Sequence, residues 1–391
     1  MEKNLESICQ FYSGTGFPIA FQGNPDGELP FYKVGDISNN VLSGNDRLKY
    51  CSNYIPRDMV SELRGTIIPK DTVVFAKIGE ALKLNRRAIT DTDCLVDNNV
   101  MGIKPNPDIL RIGYFFYYMK QLKLQNYSES TTVPSVRKSI LEKIRISVPS
   151  LEEQFRIEQK LDIVNYVIQK LRQELSVLDE FIKALFVEMF GLPGTDIYGW
   201  GLTPLGDCSE INPKKSADDR LVSDLEVSFI PMPAVSEDGA IDTSMTKVYD
   251  EVRSGFTYFT DNDVLFAKIT PCMENGKGAV AVGLRNGIGF GSTEFHVLRP
   301  LEGKSNPFWI YYLTSFDSFR KDATANMTGS AGQRRVPASF LERYKVSLPP
   351  IELQNQFAII VDQVVKSKAA VQKALGETQL LFDSLMQQHF G

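Results

Sequence analysis

A chain of 391 residues, 43% hydrophobic and 23% charged, is long enough for two or three packed domains. Its 43 Lys and Arg stand against 48 Asp and Glu, a net charge of −5, which excludes a uniformly basic nucleic-acid coat and confines such binding to local patches. Two histidines, His296 and His389, and five scattered cysteines without a CxxC exclude three-histidine zinc sites, HExxH proteases and C2H2 fingers.

No apolar stretch follows Met1-Glu-Lys-Asn-Leu-Glu6, so no secretory leader is expected. Residues 1–150 are rich in Gly, Pro, Asn and aromatics, with apolar runs at 72–78 and 102–104 that predict strands and an aromatic stretch at 109–124 that predicts a helix. This segment holds 19 basic and 16 acidic residues. After Pro149 the character changes, for residues 151–190 contain neither Pro nor Gly. Leu161, Val164, Ile168, Leu171, Leu175, Leu178 and Ile182 are spaced alternately three and four, which predicts a helix with a heptad seam. Gly191 and Pro193-Gly194 should stop it.

Residues 195–350 resemble the first segment, with strands predicted at 226–230, 263–269, 278–282 and 293–298 and a helix at 307–319. They hold 16 basic and 20 acidic residues. Residues 351–391 repeat the heptad design through Val361, Val364, Val371, Leu375, Phe382 and Leu385. Lys368 and His389 also fall on this seam, where a polar residue more often fixes register or marks a frayed end than binds a ligand. No run of 18 apolar residues predicts a membrane span, and the free thiols suit a cytoplasmic protein.

The chain also repeats itself. Val74-Phe-Ala-Lys-Ile78 recurs as Leu265-Phe-Ala-Lys-Ile269, each after an acidic turn. Residues 139–154 align without a gap on 339–354, with seven of sixteen positions identical. A weaker match sets 30–37 beside 228–235. The order is kept at an offset near half the chain length, so a unit of about 195 residues has been duplicated, far longer than a solenoid repeat. The expected architecture is α+β: two tandem mixed α/β domains (1–150 and 195–350), each followed by a long helix (151–194 and 351–391). The helices should pair as an antiparallel coiled coil with pseudo-two-fold symmetry, because a single seam needs a partner. The other arrangement has each helix packing on its own domain.

Chemical motifs are missing. There is no GxxxxGK[ST] and no GxSxG, and Asn106-Pro107, Asn212-Pro213 and Asn306-Pro307 all lack the second Pro and aromatic of an amino-methyltransferase motif. His296 sits in an alternating strand and reads as packing rather than catalysis. Neither a catalytic residue nor a metal ligand is expected. Basic residues do recur in loops of both halves. Lys77 and Lys268 hold equivalent points of the repeated strand, and Arg86, Arg87, Lys277, Arg334 and Arg335 lie in or beside loops that could follow phosphates. For each, a solvated surface cation or a Lys snorkelling at a strand end is the competing reading.

A domain, a helix, a second domain and a second helix with matching junctions resembles the specificity (S) subunit of type I restriction–modification systems, over essentially the whole chain. The junctions Ile146-Ser-Val-Pro-Ser-Leu-Glu-Glu-Gln154 and Val346-Ser-Leu-Pro-Pro-Ile-Glu-Leu-Gln354 are similar to that family's I-x-x-P-P-L-x-x-Q entry into its helices. Trp200 with Pro204-Leu-Gly-Asp207 is similar to the usual opening of a target recognition domain, and 263–269 to its mid-domain strand. The first half lacks the Trp opening and has Ser150 for the second Pro, so a degenerate first strand is expected there.

The resemblance implies a non-catalytic subunit in which each domain reads half of a bipartite double-stranded DNA target. The helices would set the spacing and dock two modification (methyltransferase) subunits, and restriction subunits would join them. S-adenosylmethionine, ATP and Mg would belong to those partners and no cofactor to this chain, and the isolated chain would self-associate. Two other readings compete: a self-sufficient DNA methyltransferase or nuclease, and a coiled-coil scaffold with two ligand-binding domains.

Overall fold

A computed structural model of the chain describes residues 2–128, 133–215, 218–330 and 332–391. It forms two compact units, residues 1–173 with 372–391, and residues 174–371. Each unit therefore combines one α/β domain with the first half of one long helix and the second half of the other.

In the first unit a five-stranded sheet has the order Cys9–Ser13, Val100–Pro105, Val73–Ala76, Arg87–Thr90, Arg47–Leu48. It is antiparallel except at its Arg47–Leu48 edge. The second unit holds a four-stranded antiparallel sheet, Ser209–Ile211, Phe295–Pro300, Val264–Ala267, Gly278–Val280. Both central strands, Val73–Ala76 and Val264–Ala267, are buried throughout, which is why their sequences are continuously apolar. Each follows a left-handed turn, at Asp71 (φ 60°) and Asn262 (φ 72°), whose N–H donates to Thr90 O and Ala281 O respectively. Asn and Asp tolerate that conformation better than most side chains.

A smaller sheet flanks each core: Tyr54–Ile55, Leu29–Tyr32, Leu95–Val96 in the first unit and Thr246–Val248, Glu226–Ile230, Ile288–Gly291, Thr257–Thr260 in the second. The weak match of 30–37 with 228–235 is thus structural, since both segments supply a strand paired in parallel inside the small sheet. The opening strand of the first half is not degenerate. Glu2–Asn4 pairs antiparallel with Arg145–Ser147, just as Leu202–Pro204 pairs with Lys345–Ser347. Backbone pairing rather than the tryptophan makes this strand, so its loss from the sequence costs no hydrogen bonds.

The aromatic stretches form Ile112–Gln121 in the first unit, and Pro307–Ser315 with Asp317–Ala325 in the second. They pack on the sheets, and the long helices pack on them. Leu151–Phe190 and Ile351–Phe390 are 40 residues each, about 60 Å at 1.5 Å per residue. Ser150 caps the first, its Oγ accepting from Glu153 N at 3.2 Å, so the change from Pro gains a cap. Gly191 (φ 80°) ends it.

In the second unit Ile182, Phe186 and Phe190 share one core with Phe357, Val361 and Val364. Phe190 meets Phe357 and Asp179 binds Lys368, so eleven residues forward on one helix match eleven back on the other, an antiparallel pairing. Lys368 is an ion-paired register contact. In the first unit Leu161 shares a core with Phe382, Leu385 and Met386, and Arg172 donates to Gln379. Leu161, Ile168, Ile182, Val361 and Val364 are buried, and Val164, Leu171, Leu175, Leu178, Val371, Leu375, Phe382 and Leu385 half-buried.

Each junction is fastened by a buried glutamine, Gln154 or Gln354. Gln154 Oε1 accepts from Arg111 N at 2.8 Å while its Nε2 donates to Ile109 O and Pro149 O. Gln354 repeats this with Asn306 N, Lys304 O and Pro349 O. These bonds account for the Gln at the end of the sixteen-residue match.

Candidate nucleic-acid interface

At one end of each central sheet three loops meet. They are the loop leaving the buried strand, the turn before the next long strand, and a segment returning toward the long helix. In the first unit Lys77 N donates to Asn99 O at 2.9 Å, Val136 N to Lys77 O at 2.9 Å, and Gly79 N to Pro134 O at 2.8 Å. In the second unit Lys268 N donates to Glu294 O at 2.9 Å, Val336 N to Lys268 O at 2.9 Å, and Thr270 N to Arg334 O at 3.0 Å. Lys77 and Lys268 therefore occupy one backbone position, and Ser135 in the first unit stands where Arg335 does in the second. Asn99 likewise corresponds to Glu294.

The side chains differ. In the second unit Arg335 makes a bidentate pair with Glu294, Nε to Oε2 and Nη2 to Oε1, both at 2.9 Å. Arg334 Nη2 reaches Glu274 Oε1 at 3.3 Å. Lys268 is half-buried beside this pair. Burial lowers its pKa, with the Glu294 charge opposing and Arg335 adding to the shift. Hydrogen bonds from Arg335 hold the Glu294 carboxyl below its ordinary value. His296 lies on the next strand, its Nε2 2.8 Å from Val336 O and its Nδ1 3.0 Å from Asn212 Nδ2. Burial pushes its pKa down, and the geometry suits a neutral imidazole that donates to the carbonyl and accepts from the amide. It therefore packs the edge of the sheet.

The other named cations fall elsewhere. Arg86 and Lys277 are counterparts, each half-buried just before the hairpin strand that pairs with the buried one, and Lys277 Nζ lies 3.4 Å from Met232 O. Arg87 corrects the sequence reading, for it lies in a strand, is 2% exposed, and aims its guanidinium inward at Asn85 O, Lys120 O and Leu122 O. It is a structural cation, turned away from the surface on which the expected DNA contacts were placed. The second unit has Gly278 at that position but fills the space with Arg320, which donates to Met273 O and Gly276 O. Gly276 is the counterpart of Asn85, so a buried guanidinium serves the same backbone from two different places in the sequence.

The acidic partners Glu274 and Glu294, and the polar counterparts Asn99 and Ser135, were not named from the sequence. Ala331, in the loop that leads to Arg334 and Arg335, lies outside the described residues. Among the described residues no group of three or more His, Cys, Asp or Glu is placed to hold a metal ion. Among the described residues no helix is long and apolar enough to cross a membrane.

A family model described as "Type I restriction modification DNA specificity domain" matches residues 1–178 and 198–377. The type I restriction enzyme EcoAI specificity subunit of Escherichia coli is 41% identical over 169 residues, 43% of this chain and 28% of that one. The EcoEI specificity subunit of Escherichia coli is 42% identical over 154 residues, 39% of this chain and 25% of that one. The match thus spans about a quarter of the length of those two relatives. The crystal structure of a type I restriction–modification S subunit from M. genitalium superposes with a TM-score of 0.59 at 13% identity, covering 100% of this chain and 96% of that one, which shows a shared fold.

Proposed function

Because the chain belongs to the type I restriction–modification DNA specificity family, we propose that it is the non-catalytic DNA sequence-recognition subunit of such a complex. One observation carries the reading: the same three-loop edge, with a lysine at the same backbone position, is built in both units, as two reading heads require. Lys77, Lys268, Arg86, Lys277, Arg334 and Arg335 are its proposed DNA contacts. Each head reads one half of a bipartite double-stranded target, and the two long helices fix the spacing between the halves.

The helices also dock the two modification subunits, which bring S-adenosylmethionine and the methyl-transfer site. Ile163, Tyr166, Val177, Phe181, Ile359 and Leu380 are exposed on them, apolar surface of the kind partner subunits cover. The same surface would drive self-association of the isolated chain. Restriction subunits, with ATP and Mg, complete the complex, which acts in the cytoplasm.

Gel-shift titration of the chain assembled with its modification subunits, at 50 to 200 mM salt, tests this. Binding to DNA should weaken steeply, by roughly ten-fold or more for a few phosphate contacts, while one sequence class stays preferred. Salt-independent binding, or none, would favour the scaffold reading.

A further inference from the structure

We infer that Arg335, buttressed by Glu294, reads the edge of a guanine rather than a phosphate, and so sets one base of the half-site read by the second domain. This rests on the DNA-recognition reading above. A guanidinium has five N–H groups in a planar fork. One edge of Arg335 is closed by the two 2.9 Å bonds to Glu294, and Nη1 also reaches Gln333 O at 3.2 Å. Two N–H groups remain without an acceptor among the described residues. The side chain of Arg335 is 41% exposed and that of Glu294 26%, so the pair stands at the surface with its fork already oriented.

A phosphate contact needs neither feature. The attraction of a cation for a phosphate is weakened by a carboxylate 2.9 Å away, whose own charge repels that anion. A guanine edge is different. It offers two neutral acceptors, O6 and N7, which a rigid guanidinium fork matches in a bidentate manner. Both partners can be met by the fork, so the charge decides: a guanidinium already compensated by a carboxylate favours the neutral partner over the anionic one. Arg334 provides the contrast, for its side-chain contact to Glu274 among the described residues is a single 3.3 Å bond that holds it less firmly, as suits a cation following a phosphate. The first domain lacks the device, with Ser135 and Asn99 in the corresponding places, so the two heads read different bases.

The experiment is selection of binding sites from a randomised DNA pool by the chain assembled with its modification subunits, as wild type, Arg335→Lys, Arg335→Ala, Glu294→Gln and Arg334→Ala. Circular dichroism melting confirms that each variant folds. Both Arg335 variants should lose preference at one G·C pair of one half-site by about 10- to 100-fold, with binding to DNA lacking that pair changed less than about three-fold. Glu294→Gln should lose part of that preference and bind non-cognate DNA more tightly, since a negative charge has gone. Arg334→Ala should weaken all sequences alike. If the Arg335 variants weaken all sequences equally, Arg335 touches a phosphate and the proposal fails. It fails too if the preference is unchanged or the affected pair is A·T. A wild-type complex that selects no sequence would instead overturn the DNA-recognition reading itself.

Discussion

Replacing Gln154 with Leu keeps the bulk of a buried side chain and removes all its polar atoms. Three backbone groups then lose their partners at once, the N–H of Arg111 and the carbonyls of Ile109 and Pro149. Each such bond contributes about 1 kcal/mol, so the loss is about 3 kcal/mol. For a compact unit of 150–250 residues this lowers the melting temperature by about 6–12 °C. Differential scanning calorimetry of Gln154→Leu and Gln354→Leu reads it directly. The two should cost about the same, because Gln354 makes the corresponding three bonds. Gln154→Glu sharpens the test: its carboxylate would face two carbonyl oxygens, so its folded pKa is raised. Its stability should therefore be highest in acid and fall as pH rises through that value. Shifts within about 1 °C for both Leu variants would refute the view that these amides lock each helix to its domain.

Further expectations follow from other buried groups. Asp263 is almost fully buried, and it accepts from Thr260 N at 2.7 Å and from both arms of Arg299 at 2.8 and 2.6 Å. Asp263→Asn should therefore destabilise the second unit by about 3 kcal/mol, read by urea titration. Arg87→Met should cost the first unit about 3 kcal/mol by leaving carbonyls unpaired, yet leave sequence preference in a binding-site selection unchanged. A changed preference without a stability loss would return Arg87 to the surface. Burial lowers the His296 pKa, so below about pH 6.5 the unfolded chain takes up a proton that the folded one does not. Melting temperature should fall on acidification from pH 7 to pH 5, and less so in His296→Asn.

The long helices could be read from sequence because their signal is one-dimensional: a heptad seam and a stretch without Pro or Gly fix a helix whatever it packs on. The duplication was visible at the junction for a related reason, since Gln154 and Gln354 each satisfy backbone groups that no other residue type satisfies as well. The small flanking sheets were harder to see. Strands as short as Leu95–Val96 carry no period and exist only because Leu29–Tyr32 lies alongside.

The interface was legible in its charges and illegible in its pairing. Arg87 and Arg335 look alike in a sequence, each part of an Arg-Arg pair followed by apolar residues. One turns into the core because three carbonyls converge there, and the other turns out to Glu294, 41 residues away. The migration of the buried guanidinium from Arg87 to Arg320 between the two halves shows why aligning the repeats could not settle the matter, since the requirement belongs to the space and not to the position.

On the proposed function, two copies of one reading module recognise a split DNA target. Genome-wide mapping of methylated adenines in cells carrying the modification subunits, with and without this gene, tests it most directly. A gapped motif of two short blocks should disappear with the gene, and substitution of Arg335 should change one block alone. Methylation that persists without the gene, or a single ungapped motif, would contradict it.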